Sequence, residues 1–147
     1  MANLNRFIET VSAHRIIGVD SSIFIYSFEQ HLEYEPFSSA IFNLLSEGRV
    51  HLVTSAVTPS EVLVQPFKKG DAEIAALYEN VFEQLPRFTL VPIDYPLAKI
   101  AAHLRASYSI LLPDAFQIAA SLKEQATLFV TNDLKLKKIK EIKVVCL

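Results

Sequence analysis

Arg15-Ile16-Ile17-Gly18-Val19-Asp20-Ser21-Ser22-Ile23-Phe24-Ile25-Tyr26 is the stretch that decides the fold. A short apolar run ends on an aspartate, and a helical segment opens directly behind it. The same change recurs at His51-Leu52-Val53-Thr54 and at Leu128-Phe129-Val130-Thr131. Strands are predicted near 15–19, 50–54, 88–93, 127–131 and 143–146, with helices between them. Strands alternating with helices are the pattern of βαβ units, which implies an α/β fold built on a parallel sheet.

The intervening segments carry helical periodicity. Phe37, Ala40, Ile41, Leu44 and Leu45 mark one apolar face, and Glu47-Gly48 supplies its stop. Ile74, Leu77, Tyr78, Val81 and Leu85 mark a second face, and Leu97, Ile100, Ala101, Leu104 and Tyr108 a third. Two helical segments are therefore expected between the second and third strands. Residues 3–13 read as an extra helix before the first strand.

Composition narrows the function classes. With 147 residues, 51% hydrophobic and 20% charged, the chain is expected to form one globular domain over residues 1–147. A net charge of -2 excludes a broadly basic nucleic-acid coat but leaves room for a nucleic-acid enzyme, because a bound metal reverses the sign of an acidic pocket. Cys146 is the single cysteine, which excludes an internal disulfide and a cysteine-rich zinc site. Glycines occur only at positions 18, 48 and 70, so neither a dinucleotide fingerprint nor a phosphate-cradling loop can be written. His14, His31, His51 and His103 are scattered without metal-ligand spacing. The opening residues lack the apolar core of a secretory signal, and no apolar stretch suits a membrane. A cytoplasmic protein without membrane attachment is expected.

Acids are the coherent chemistry that remains. Asp20, Glu61, Asp114 and Asp133 each stand where an apolar run gives way to helix. Residues just past the carboxyl ends of parallel strands meet at one edge, the usual ligand crevice of such sheets. Four carboxylates gathered there repel one another unless a cation sits between them. Their hard oxygens favour Mg²⁺ or Mn²⁺ over metals that prefer thiolate or imidazole. Ser21, Ser22, Thr131 and Asn132 lie beside the acids and suit the orienting of carboxylates or water. Each acid also has a plainer role. Asp20 and Asn132-Asp133 are good helix caps, Thr58-Pro59-Ser60-Glu61 reads as a capping box, and Asp114 fits a helix's first turn. Capping alone does not explain why all four fall at one edge of the sheet.

Four segments carry a family resemblance. They are Ile17-Gly18-Val19-Asp20-Ser21-Ser22-Ile23-Phe24-Ile25-Tyr26, Thr58-Pro59-Ser60-Glu61-Val62-Leu63-Val64-Gln65-Pro66, Leu112-Pro113-Asp114-Ala115-Phe116-Gln117-Ile118-Ala119-Ala120 and Phe129-Val130-Thr131-Asn132-Asp133. From about Arg15 to Leu147 the chain resembles the PIN-domain nucleases, most of all the VapC-type toxins of toxin–antitoxin pairs. The resemblance implies a five-stranded parallel sheet flanked by helices, an α/β/α arrangement; residues 1–14 exceed the usual family start and are expected to be an N-terminal helical extension. It further implies Mg²⁺- or Mn²⁺-dependent endoribonuclease activity, with Asp20, Glu61, Asp114 and Asp133 as the catalytic quartet. The family often has Thr-Asn after the first aspartate, where this chain has Ser21-Ser22. Many relatives place a further acid beyond the fourth, where this chain has Lys135, Leu136 and Lys137.

On this reading Asp20, Asp114 and Asp133 are the metal ligands, direct or through water. Glu61 is a ligand or positions the attacking water, and Ser22, Thr131 and Asn132 support them. Arg105 and the run Lys135, Lys137, Lys138 and Lys140 are candidates for drawing RNA phosphates, although that run also suits a solvated amphipathic face. Phe24, Tyr26, Phe28, Phe37 and Phe42 are candidates for stacking on bases or for core, and Phe42, off its helix's main face, suggests an interface. The expected partners are an RNA substrate, a small protein antitoxin and a second copy of the chain. Two alternatives stay open: a PIN nuclease without an antitoxin, and a non-catalytic PIN-like scaffold that binds RNA or protein.

Overall fold

The computed structural model describes residues 3–147. Helix α1 (Leu4–Ser12) begins at Asn3, whose side chain caps it by accepting from the Arg6 amide at 3.2 Å. Strand β1 (Ile16–Val19) runs into α2 (Ser21–Phe28), followed by α3 (Glu35–Ser46) and β2 (His51–Ser55). Three helices come next, α4 (Val57–Val62), α5 (Val64–Lys68) and α6 (Ala72–Gln84), and then β3 (Phe88–Val91). Helices α7 (Tyr95–Tyr108) and α8 (Leu112–Lys123) lead to β4 (Leu128–Thr131), a 3₁₀ turn (Leu134–Lys138) and β5 (Lys143–Cys146).

All five strands are parallel, in the order β3-β2-β1-β4-β5. β1 lies at the centre, with Gly18 beside Val53 of β2 and Val19 beside Val130 of β4. The chain leaves β1 toward β2 on one side and returns to β4 on the other. That reversal puts Asp20, just past the carboxyl end of β1, at the edge where such sheets bind ligands.

Side chains alternate across the pleat, so each strand feeds two cores. Ile17, Val19, Leu52, Leu128 and Val130 join Phe24, Phe37 and Ile41 in one core, together with Phe7 and Val11 of α1. Val53, Val91 and Phe129 join Leu97, Leu104, Ile118 and Ala119 of α7 and α8 in the other. The purpose of the leading helix follows from this packing. Its Phe7 ring meets Phe37 of α3 edge-on at 5.2 Å, so α1 closes the outer side of the first core. On the opposite face α8 lies directly on β1. A Cβ built on Gly18 would fall 1.8 Å from Ser121 Oγ, so only glycine permits this approach.

Several local expectations hold and several do not. Gly48 takes φ 73° and closes α3, with Arg49 N donating to Leu44 O at 2.9 Å. The strands fall within two residues of their expected ends. Between β2 and β3, however, there are three helices rather than two segments. The packed face of α6 also differs. Ala75 and Phe82 are buried, while Leu77 is 59% exposed and Ile74 lies at the surface. The Phe82 ring sits 5.3 Å from Phe24 and sets the helix rotation, because an aromatic ring contributes more buried area than a leucine. Phe42 packs on the same Phe24 ring at 5.4 Å, so core packing accounts for it. Of the residues between the C-terminal lysines, Leu136 and Ile139 are buried, whereas Leu134 is exposed.

Candidate active site

Asp20 is the first residue past β1 and caps α2. Its Oδ1 accepts from the Ser22 amide at 3.1 Å and from the Ser22 hydroxyl, and its Oδ2 accepts from the Thr131 hydroxyl. Thr131, the last residue of β4, is fully buried and also accepts from the Asp133 amide at 3.1 Å. One hydroxyl thus couples the acids that follow two adjacent strands. Asp133 caps the 3₁₀ turn through the Lys135 amide at 2.9 Å. Asp114 lies in the first turn of α8, and Glu61 near the end of α4.

The predicted capping box at Thr58-Pro59-Ser60-Glu61 does not form. Helix α4 already starts at Val57 without a side-chain cap. Thr58 instead turns inward to Thr54 and Gln117, and Glu61 Oε1 accepts from the Ser21 hydroxyl at 2.9 Å. The cap is lost because buried Thr58 gains partners in the interior that solvent-facing capping does not offer.

Gln117 is the residue that sequence reasoning missed. It is 2% exposed, and its Oε1 accepts from Ser55 N, Ser55 Oγ and Thr54 Oγ1 at 3.1, 2.8 and 3.2 Å. Its Nε2 donates to Thr58 Oγ1 at 2.9 Å. Gln117 lies one turn beyond Asp114 on α8, and Thr58 one turn before Glu61 on α4. A single buried amide therefore sets the two acid-bearing helices against the end of β2. The available signal was one amide inside Asp114-Ala115-Phe116-Gln117-Ile118-Ala119, since a buried amide needs partners.

The acids act on one another. The Asp114 carboxyl is pushed up to about 6, first by burial and then by the charges of Asp133, Asp20 and Glu61, with Lys135 opposing. Burial also raises Asp20, and the Glu61 charge adds to this, while the bonds from Ser22 and Thr131 pull the other way. The ion pairs among the described residues are Arg49–Glu47 at 3.6 Å and Lys123–Asp94 at 3.7 Å, neither within the quartet. Among the described residues, no three acidic, histidine or cysteine side chains stand as a ready ligand shell. The donor set still suits a hard divalent ion. It offers carboxylate oxygens and hydroxyls, burial and the neighbouring charges both raise the Asp114 carboxyl, and a cation among the acids would relieve their repulsion.

The remaining candidates separate. Lys135 is near enough to Asp114 for its charge to oppose the rise of that carboxyl. Asn132 does not touch the acids: its Nδ2 donates to the Tyr26 hydroxyl at 2.9 Å. Arg105 spends its Nε on the Ile110 carbonyl at 3.2 Å, closing the turn between α7 and α8. Phe24 and Phe37 are buried in the core, where no base can reach them.

The PIN domain family model matches residues 17–142, a span that contains all four acids. The chain belongs to the PIN-domain family. Solved structures share its fold. A chain of VapBC2 from Rickettsia felis, bound to a DNA fragment from its promoter, superposes with a TM-score of 0.68 at 18% identity, covering 89% of this chain and 98% of that one. DNA-bound VapBC from Salmonella typhimurium gives 0.66 at 17% identity, over 90% and 97% of the two chains. A toxin–antitoxin complex from Klebsiella pneumoniae gives 0.62 at 21% identity, over 89% and 95%. No curated protein sequence matches the chain. The expected PIN fold is thus borne out, including the five-stranded parallel sheet between helical layers, an arrangement shared with chains of these VapBC complexes.

Proposed function

We propose that this PIN-domain protein is a metal-dependent endoribonuclease and the toxin of a toxin–antitoxin pair, acting in the cytoplasm. On this reading residues 1–147 work as one domain; of the expected extension over residues 1–14, helix α1 occupies Leu4–Ser12, and residues 1 and 2 lie outside the described residues. The observation that carries the proposal is the Asp114 carboxyl, pushed up to about 6 by burial and then by the charges of Asp133, Asp20 and Glu61. Proteins rarely bring four acids within reach of one another's charge for stability, because each adds repulsion that folding must overcome.

Asp20, Asp114 and Asp133 would hold Mg²⁺ or Mn²⁺. When bound, the ion activates water and neutralises charge on a phosphodiester. Ser22 and Thr131 fix the Asp20 oxygens, so that ligand does not need to reorganise. Glu61, anchored by Ser21, accepts a hydrogen bond from the attacking water or joins the ligands. Lys135 draws the substrate phosphate toward a pocket that would otherwise repel it, with Arg105 on the approach. Helices α5 and α6 leave Val64, Phe67, Ile74 and Leu77 exposed, an apolar surface of the kind a protein partner covers, here a small antitoxin. A homodimer completes the proposed assembly.

Purified protein incubated with single-stranded RNA and Mg²⁺ tests the reading. Wild type should cleave, a chelator should stop it, and Asp20→Asn and Asp114→Asn should each lose at least a hundredfold in rate while melting as cooperatively as wild type. Unchanged cleavage by either variant refutes the site. RNA binding that no metal converts into cleavage would favour the non-catalytic scaffold. Arrest of cell growth on expression, relieved by the product of a neighbouring gene, tests the antitoxin.

A further inference from the structure

Three aromatic rings stand together outside both cores. Tyr26, His31 and Tyr34 have ring centroids 5.1, 5.0 and 5.0 Å apart, and the His31 ring lies at only 20° to Tyr34. They occupy the end of α2 and the loop into α3, and none belongs to the apolar clusters that hold the sheet. His31 is exposed, and Leu32 beside it is 98% exposed.

The loop is built to hold these rings in place. His31 N donates to Tyr26 O at 3.0 Å, and Glu35 N donates to His31 O at 2.9 Å. His31 Nδ1 accepts from the backbone amides of Glu33 and Tyr34, each at 3.2 Å. An Nδ1 that accepts leaves the proton on Nε2 and fixes the ring plane. Gln30, His31, Leu32, Glu35 and Pro36 line a dent of about 360 Å³ beside the rings, large enough for a small planar group.

The rings also connect to the acids. The Tyr26 hydroxyl accepts from Asn132 Nδ2 at 2.9 Å, and Asn132 directly precedes Asp133. The Ser22 hydroxyl that donates to Asp20 also lies beside the Tyr26 phenol. Of the three rings, Tyr26 is thus linked to Asp20 through Ser22 and to the residue before Asp133 through Asn132.

We propose that Tyr26, His31 and Tyr34 form a stacking platform for an unpaired nucleobase of the RNA whose phosphodiester enters the acidic pocket. This rests on the nuclease reading above. No cation sits among the three rings, so they attract the flat, uncharged part of a nucleotide rather than its phosphate. Stacking gives the protein a hold on RNA that the acidic pocket cannot supply, because carboxylates repel phosphates. Every base has a π-face, so the platform selects single-stranded over paired RNA more than it selects sequence.

Binding of a short fluorescent single-stranded RNA, measured by anisotropy in Mg²⁺, tests the platform. All proteins carry Asp114→Asn so that the RNA stays whole. Tyr34→Phe keeps a ring and should bind like the parent. Tyr34→Leu and His31→Asn, in which asparagine can still accept the backbone amides, should each bind about tenfold more weakly. An RNA lacking the base at the seated position should bind the parent and Tyr34→Leu equally. Equal losses for Tyr34→Phe and Tyr34→Leu, or no base position that removes the difference, would overturn the platform. Binding is read on the Asp114→Asn background and cleavage separately on wild type, so the two readings fail separately. Wild type that cleaves while Tyr34→Leu binds normally sinks only the platform, and ring-dependent binding without any cleavage by wild type sinks only the nuclease.

Discussion

The Ser21 hydroxyl donates to Glu61 Oε1 across 2.9 Å, joining residues 40 positions apart. It ties the first residue of α2 to the last turn of α4, and so brings the quartet's only glutamate toward Asp20. Ser21 is nearly buried, whereas Glu61 is exposed and has nothing else to hold it in place.

Ser21→Ala should therefore release Glu61 without disturbing the fold. Stability should fall by about 1 kcal/mol, the ordinary net worth of one hydrogen bond. RNA cleavage should fall about tenfold, because a mobile carboxylate is poorly placed against water or metal. Initial rates of Ser21→Ala beside Glu61→Gln check this. A variant as fast as wild type would show that the bond positions nothing.

Gln117→Leu keeps the volume but removes four hydrogen bonds from Thr54, Ser55 and Thr58. Buried polar groups left unpaired cost about 1–3 kcal/mol each when nothing relaxes, so a total loss of about 3 kcal/mol is expected. Urea unfolding reads it as a lower midpoint with the slope unchanged. Activity should fall further than the lost stability explains, because the amide sets the helices that bear Asp114 and Glu61.

Asp114 gives the chain without metal an unusual response to pH. Its carboxyl is raised from 3.8 to about 6 in the folded state, so the folded chain binds a proton more tightly than the unfolded chain. Stability is then greatest below the unfolded value and falls as pH rises toward 6, above which the whole penalty is present. A shift of this size is worth about 3 kcal/mol unscreened, and about 1–2 kcal/mol for a half-exposed group. In chelator, the melting temperature should drop between pH 4 and 6.5, beyond the change seen with Asp114→Asn. Mg²⁺ should restore it most above pH 6, where the carboxylate is free to bind. Parallel melting curves for wild type and Asp114→Asn across this range would remove Asp114 from the cluster.

Gly18→Ala should destabilise by overpacking, since the new methyl would meet Ser121 Cβ at 2.7 Å as well as its hydroxyl. A loss of about 1–3 kcal/mol is expected. Ser121→Gly in the same chain should recover part of it, less about 1 kcal/mol for a glycine inside a helix. A double-mutant cycle with no coupling would show that α8 can move away from β1 at little cost.

Much of the fold and the places of all four acids were legible in the chain itself. Asp20, Asp114 and Asp133 each stand beside a strand end or a helix start that short-range periodicity defines. The order of alternating elements leaves few sheet topologies to choose from. Glu61 was legible too, but the capping box offered for it was wrong, because Thr58 found partners 4 and 59 positions away rather than in its own first turn.

Local sequence thus determined where strands and helices begin, which side of most elements is apolar, and which side chains carry charge. These depend on backbone preference and on spacings of two to four residues. Only the tertiary structure decided that Gln117 holds β2 and α4, that Thr131 reaches Asp20 across 111 positions, that Asn132 serves Tyr26, and that α6 turns Phe82 rather than Leu77 inward. Those partners come from elements distant in the chain, and no local pattern records which of several neighbours wins. The choice falls to the arrangement that fills both cores while leaving no buried polar group unpaired.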